Sequence, residues 1–323
     1  MTSEPKNYLH DGHLSVGTRE YLRVLNGDGP VESLPPDEAR QVLADVQAGV
    51  DVDLSGIDER QCRIDADGHA LTLHIVRPEG CRGRLPFFLF LHGGGWVLGD
   101  YPTHRRLVRD LVVASRLAAV FVDYTPSPEA RYPQPVEEIY AALKWTVANA
   151  AELDIDGGRA AIVGNSVGGN MALAAALLAK RNHAPALRAL VLLWPVTSAS
   201  TDWPSYARYG RERFLTAPLM KWMFDQYTDD PKARDEILFS PIEASDEDLA
   251  GLPPTLIAVA ENDILRDEGE AMGRRLDEAG VETTSVRFNG VIHDWGMLNG
   301  FARLSPVRDL ILFVSAVLRD RLK

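Results

Sequence analysis

The chain has 323 residues, of which 46% are hydrophobic and 25% are charged. This composition is typical of a globular protein and excludes disordered, collagen-like and disulfide-scaffold classes. The formal net charge of -12 disfavours nucleic acids and anionic membrane surfaces as partners, because both repel an acidic protein.

The chain carries no sign of a targeting or membrane segment. Residues 1–10 are polar, unlike a secretory leader. The longest apolar runs, residues 171–179 and 310–318, are far shorter than the roughly 20 residues that span a bilayer. Cys62 and Cys81 are too few for a disulfide framework or a four-ligand zinc site. We therefore expect a soluble, cytoplasmic protein with reduced thiols and no membrane insertion.

Apolar runs alternate with helical stretches from about residue 70 onward. The predicted strands are residues 70–76, 86–91, 117–124, 160–164, 189–194, 255–260 and 283–288. The predicted helices are residues 103–115, 134–150, 168–182, 268–279 and a last one from about residue 305. Repeated strand–helix units predict an α/β fold, in which a mostly parallel central sheet has helices on both faces.

Two regions interrupt this alternation. Residues 1–55 show helical patterns at 17–25 and 36–47, and residues 197–245 are rich in aromatic, proline and charged residues. They are either surface helices at the sheet edge or a helical cap above the carboxyl ends of the strands, where such sheets bind ligands. We favour the cap, within a single domain that spans residues 1–323.

The strongest motif is Gly164-Asn165-Ser166-Val167-Gly168, between an apolar strand and a helix. This strand–turn–helix context is typical of a nucleophile elbow, in which a serine occupies a strained turn and exposes its hydroxyl. Glycines on either side remove the Cβ atoms that would clash where strand and helix approach. The alternative is a glycine-rich turn that only begins a helix.

A second motif, His92-Gly93-Gly94-Gly95-Trp96, directly follows the predicted strand 86–91. Consecutive glycines leave backbone N–H groups free to converge on one point, as an oxyanion hole requires. The motif lacks the Gly-Lys-Ser/Thr ending of a phosphate loop and the spacing of a dinucleotide fingerprint. His92 has no metal-ligand partner at a suitable spacing, so we expect a structural histidine.

A nucleophilic serine needs a base and an acid that orients the base, and after such an elbow the acid precedes the histidine along the chain. His293 is the only histidine after His183, and it follows a predicted strand. Four acids follow the strand 255–260, namely Glu261, Asp263, Asp267 and Glu268. We favour Asp263, which lies in the turn, whereas Asp267 and Glu268 lie where acids cap a helix. Asp294 adjoins His293 too closely for the usual geometry, so we expect a loop residue.

Together these motifs resemble the hormone-sensitive-lipase-like branch of the α/β-hydrolases, which includes the bacterial family IV esterases. The resemblance extends from about residue 70 to the end. The segment HGGGW at 92–96 is similar to the oxyanion motif of that branch, and GNSVGG at 164–169 is similar to its GDSAGG elbow. The segment DILRDEG at 263–269 is similar to its DPLRDEG, and His293 falls at its catalytic histidine.

The resemblance implies an α/β-hydrolase fold and a catalytic triad of Ser166, Asp263 and His293. It also implies an oxyanion hole formed by the N–H groups of Gly94, Gly95 and Val167, with His92 and Gly93 supporting the loop.

Several residues depart from the family pattern. Asn165 replaces Asp or Thr, and Val167 replaces Ala, which should crowd the substrate pocket without removing the oxyanion N–H. Thr125-Pro126-Ser127 replaces Arg-Leu-Ala, and Asp294 replaces a glycine. These last two departures affect the expected substrate range and leave the expected chemistry unchanged.

We therefore predict a serine carboxylesterase that hydrolyses short- to medium-chain esters of small molecules, with no cofactor and no metal. The alternatives are an amidase, deacetylase or acyltransferase that uses the same triad, and a small-molecule receptor on this fold. Residues 310–318 are apolar enough to pair two copies in a homodimer, but a helix facing the core is the favoured interpretation.

Overall fold

A computed structural model describes residues 7–27 and 29–323. The strands in this part of the chain are β1 (Ile57–Ala66), β2 (His69–Pro78), β3 (Leu85–Leu91), β4 (Ala118–Asp123), β5 (Ile155–Asn165), β6 (Ala189–Leu193), β7 (Thr255–Asn262) and β8 (Thr283–Ile292). They form one sheet in the order β1-β2-β4-β3-β5-β6-β7-β8. The pairs from β4 to β8 are all parallel, whereas β2 runs antiparallel to both β1 and β4. The predicted α/β fold with a mostly parallel sheet is confirmed.

The α-helices in the described part of the chain are α1 (Val16–Leu25), α2 (Pro36–Ala48), α3 (Tyr101–Ser115), α4 (Gln134–Ala148), α5 (Val167–Arg181), α6 (Pro204–Tyr209), α7 (Ala217–Tyr227), α8 (Asp246–Leu249), α9 (Arg266–Glu278) and α10 (Ser305–Arg321). Helices α6, α7 and α8 were not predicted, whereas the other seven begin and end close to their predicted positions. Short 3-10 turns occur at Asn7–His10, Val31–Ser33, Pro231–Asp235, Pro241–Glu243 and Asn299–Phe301. No helix in the described ranges combines the length and the apolar character needed to cross a membrane.

The central strands are buried on both faces. Every residue from Phe87 to Leu91 in β3 and from Leu190 to Leu193 in β6 is fully buried. Helix α5 packs against β5, β3 and β6, α9 packs against β7 and β8, and α3 packs against α10. Because β3, β5, β7 and β8 are parallel, the loops that follow them all emerge at the same edge of the sheet.

Strand β1 was not predicted. Most of its residues are exposed, and it carries the polar run Asp58-Glu59-Arg60-Gln61. Such an edge strand pairs through its backbone with β2 and shows none of the continuous apolar character by which the central strands were predicted.

Helix α10 contains the apolar run at residues 310–318. Leu310, Val314 and Leu318 are fully buried, whereas Leu312 is exposed. The favoured interpretation of a helix facing the core therefore agrees with the structure. The homodimer remains a prediction, and so does the cytoplasmic location. Cys62 and Cys81 are both free and half-buried.

Candidate active site

Ser166 lies at the sharp turn between β5, which ends at Asn165, and α5, which begins at Val167. Its backbone has φ 55° and ψ -122°, a strained conformation that residues other than glycine rarely adopt. A Cβ atom on Gly168 would lie only 2.0 Å from the carbonyl oxygen of Leu91, so the helix can approach β3 only with glycine there. The predicted elbow therefore has the geometry that its sequence indicated.

His293 and Asp263 meet Ser166 at this edge of the sheet. The Nε2 atom of His293 lies 3.0 Å from the Ser166 Oγ, and its Nδ1 lies 2.7 Å from the Asp263 Oδ2. Asp263 directly follows β7 and His293 directly follows β8, and these two strands are parallel neighbours. The other carboxylate oxygen, Oδ1, accepts a hydrogen bond of 2.9 Å from the N–H of Leu265. That bond fixes the carboxylate against the imidazole.

The hydrogen bonds of Asp263 differ from those of the other three acids that follow β7. Glu261, Asp267 and Glu268 each accept a backbone N–H from a different segment. Within residues 7–27 and 29–323, none of these three forms a hydrogen bond to His293. Of these four acids, Asp263 is therefore the one that hydrogen-bonds to the imidazole ring.

The charge on His293 reflects two opposing effects. Burial disfavours the imidazolium, but the carboxylates of Asp263 and Asp294 outweigh burial and raise the pKa of His293 above its ordinary value. The protonated form of His293 is therefore more favoured in this site than it would be in water.

The glycine loop lies beside Ser166. The N–H of Gly93 donates to the side-chain oxygen of Asn165 at 3.0 Å, and this bond ties the loop to the elbow. Gly94 has φ 110° and Gly95 has φ 64°, in the region that favours glycine. In the described ranges the N–H groups of Gly94 and Gly95 donate to no protein acceptor. Two donors are therefore free in a loop that lines the same cavity as Ser166.

Val167 is the first residue of α5, so its N–H has no acceptor within the helix. Its side chain is fully buried and is absent from the described lining of the cavity above Ser166. The crowding of the pocket expected from Val167 is therefore not seen among the residues described as lining this cavity.

His92 is buried beneath the loop. Its Nδ1 donates to the carbonyl oxygen of Gly93 at 2.8 Å, and its ring stacks on Tyr124 with centroids 4.2 Å apart. Burial lowers the pKa of His92, so the ring is held neutral. These contacts agree with the predicted structural role.

A cavity of about 90 Å³ opens onto Ser166 and His293. Both of the irregular regions predicted as a cap contribute to its walls. The apolar lining residues from these regions are Val24, Leu25, Val31, Ala39, Val42, Leu43, Val46, Phe214, Leu215, Leu219 and Met223. A largely apolar space with one reactive serine suits a small substrate with an apolar group.

Asp294 lies in the turn after β8, as predicted, but the sequence did not indicate that its side chain reaches the site. Its side chain is buried, and it lines the cavity together with Ser166 and His293. Its Oδ1 accepts from the Asn165 side-chain amide at 3.1 Å and from the Trp194 indole N–H at 2.6 Å. The backbone of Asp294 has a positive φ of 59°, a local conformation that the sequence pattern did not predict. The one signal in the sequence was the replacement of a glycine by an acid.

Comparisons with known proteins place the chain in a family. Residues 88–297 match the model of an α/β-hydrolase-fold family. The chain is 35% identical to an ethyl acetate hydrolase of Pseudomonas putida, over 82% of this chain and 85% of that protein. It is 33% identical to the carboxylesterase NlhH of Mycobacterium tuberculosis, over 73% of each. The crystal structure of a thermostable esterase from Pseudomonas putida has 50% identity and a TM-score of 0.96, covering 97% of this chain and 99% of that one. The chain therefore belongs to the α/β-hydrolase family, and the predicted resemblance to its hormone-sensitive-lipase-like branch is confirmed.

Proposed function

We propose that the protein is a serine carboxylesterase that hydrolyses short- to medium-chain carboxylic esters through an acyl-enzyme intermediate. The observation that carries the proposal is the pair of contacts that His293 makes, to Ser166 at 3.0 Å and to Asp263 at 2.7 Å. The ester-hydrolase names of the relatives support the same class of reaction.

In the acylation step, the Ser166 Oγ attacks the ester carbonyl carbon while His293 Nε2 takes the hydroxyl proton. The tetrahedral intermediate collapses, the bond to the alcohol oxygen breaks, and the imidazolium gives its proton to that oxygen. Water then attacks the acyl carbonyl carbon while His293 Nε2 takes a proton from it. The bond to the Ser166 Oγ breaks, the imidazolium returns its proton to that oxygen, and the carboxylic acid leaves. Throughout these steps Asp263 holds the imidazole in one tautomer and stabilises its positive charge.

The negative charge that develops on the carbonyl oxygen would be bound by the N–H groups of Gly94, Gly95 and Val167. Support comes from the lack of a protein acceptor for the first two in the described ranges, and from the place of Val167 at the start of α5. Gly93 and His92 would shape the loop, because both are held by hydrogen bonds to their surroundings.

Residues 7–27, 29–55 and 197–245 would form the cap that covers the acyl group, and the rest of the predicted range 1–55 lies outside the described residues. The cavity they line is apolar and about 90 Å³ in volume, which suits an acyl chain of a few carbons. Long acyl chains would need the cap to move.

The test is hydrolysis of p-nitrophenyl esters from acetate to palmitate by the wild-type protein and by Ser166→Ala. Turnover should be greatest for the short esters, and the variant should lose about 10⁶-fold in kcat. Ser315→Ala is a matched control, because Ser315 is a buried serine in α10 outside the cavity and should be dispensable.

Three outcomes would contradict the proposal. A folded wild-type protein without turnover of any ester would favour the receptor alternative. Equal turnover of p-nitrophenyl acetate and p-nitroacetanilide would favour the amidase alternative, and product transferred to an added alcohol in preference to water would favour an acyltransferase.

A further inference from the structure

A second carboxylate faces the imidazole ring from the side opposite Asp263. The Asp294 Oδ2 lies 3.8 Å from the His293 Nε2, the atom that also contacts the Ser166 hydroxyl. This separation is too long for a hydrogen bond and short enough for a strong interaction between charges. Asp263 contacts the other ring nitrogen, Nδ1.

Resting on the proposed function, we infer that Asp294 is a positioning residue that acts through His293. Its carboxylate stabilises the positive charge that the ring acquires when it takes the serine proton. His293 is then flanked by two carboxylates, one at each ring nitrogen. An uncharged residue at position 294 would leave Nε2 without this second charge.

Two hydrogen bonds hold the Asp294 carboxylate in place. Because the Asn165 side-chain oxygen accepts from Gly93, its amide nitrogen is left to donate to the Asp294 Oδ1. The Trp194 indole can only donate, and it donates to the same oxygen. With Oδ1 bound twice, Oδ2 is the atom that faces His293.

No other charged group near His293 and Asp294 opposes the interaction between their charges, as far as the described residues show. Ser166, His293 and Asp294 are the only titratable or nucleophilic side chains in the described lining of the cavity. Behind Asn165 lie the rings of His104 and His92, and burial lowers the pKa of both, so they add no positive charge.

The remaining neighbours lie behind Asp263. Burial raises the pKa of Glu268 well above its ordinary value, which favours its neutral form, and burial likewise raises the pKa of the Tyr206 hydroxyl. Neither group therefore adds a negative charge that would stabilise the imidazolium in place of Asp263 and Asp294.

Burial also raises the pKa of Asp294 itself, while His293 and the bonds from Asn165 and Trp194 act in the opposite direction. The carboxylate charge and the imidazolium charge therefore depend on each other. Removing the charge on Asp294 should make His293 a weaker base, so that the ring loses its proton at lower pH.

The experiment is the pH dependence of kcat/KM for p-nitrophenyl acetate in the wild type and in Asp294→Asn. Asparagine keeps an oxygen that can accept from both Asn165 and Trp194, and it tolerates the φ of 59° at this position. Asp277→Asn is the matched control, because it makes the same change in net charge at an exposed position on α9.

On the acid side of the profile, the ratio of kcat/KM to its plateau should rise about fivefold in Asp294→Asn. Two unit charges about 4 Å apart have an effect of this size even at the dielectric constant of water. The plateau itself should fall by less than about tenfold, because a weaker base transfers the proton less efficiently. Asp277→Asn should follow the wild-type profile.

An acid limb of Asp294→Asn that coincides with the wild-type limb, or that moves to higher pH, would overturn the inference. A loss of activity with an unchanged limb would mean that Asp294 acts only through packing. If Asp294→Asn does not fold, Asp294→Gly gives the same test, because glycine accepts the positive φ and removes the same charge. Failure of the proposed function is distinct, since the wild type would then hydrolyse no ester at all.

Discussion

Replacing Met223 with alanine should shift the preferred acyl chain toward longer esters. Met223 lies on α7, is 5% exposed and lines the cavity above Ser166. A Cβ atom built on Gly95 would lie 2.0 Å from the Met223 sulfur, so this side chain rests directly against the glycine loop. It therefore limits the space next to the proposed oxyanion hole.

The size of the effect follows from the atoms removed. Met223→Ala deletes the γ, δ and ε atoms of the side chain, which leaves room for about three methylene groups of a substrate. Each buried methylene contributes about 0.8 kcal/mol, which is about fourfold in kcat/KM. The preference for hexanoate over acetate should therefore rise by up to about 60-fold, less whatever space the neighbouring residues refill.

The assay is kcat/KM for p-nitrophenyl acetate, butyrate, hexanoate and octanoate. Met220→Ala is the matched control, because Met220 is on the same helix and 1% exposed but is not among the cavity-lining residues. Both variants should lose about 2–5 kcal/mol of stability from lost packing. A chain-length profile that stays the same in Met223→Ala, or that changes equally in Met220→Ala, would refute the reasoning.

Three further predictions concern the chemistry. Asp263→Asn should lower kcat by about 10⁴-fold, because the amide favours the wrong tautomer of His293; a loss below tenfold in a steady-state assay would reassign the acid. Because the pKa of His293 is raised, kcat/KM should fall as the pH decreases, with a midpoint above about 6.5; a pH profile with a lower midpoint would contradict the charge balance described. Gly94→Ala should lower kcat by about 10²–10³-fold with little change in KM, since its Cβ would lie 2.2 Å from the Leu98 carbonyl oxygen and displace the loop; near-normal kinetics would exclude Gly94 from the oxyanion hole.

The core of the fold could be predicted from sequence because its strands carry a continuous signal. Strands β3 and β6 are apolar throughout, and β7 is apolar from Leu256 to Ala260, since helices cover both faces of these strands. Strand β1 gives no such signal, because an exposed edge strand is held by backbone pairing that almost any polar sequence can make. The prediction therefore worked where burial determines the residue type and failed where it does not.

The site residues divide in the same way. Ser166 could be found because the elbow needs glycines at fixed positions, and His293 was the single histidine left in the required order along the chain. Asp294 was missed because its orientation depends on one positive backbone angle and on hydrogen bonds from distant residues. Contacts between residues about 100 positions apart, such as Trp194 and Asp294, leave no local pattern in a single sequence.

The most direct test of the central claim is covalent labelling by a neutral p-nitrophenyl phosphate triester, followed by intact-mass and peptide mass spectrometry. The account predicts one phosphoryl group per chain, attached to Ser166, with release of p-nitrophenol and parallel loss of esterase activity. Ser166→Ala should take up no label, while Ser315→Ala should label as the wild type does. An active enzyme that remains unlabelled, or that carries the label on another residue, would contradict the account.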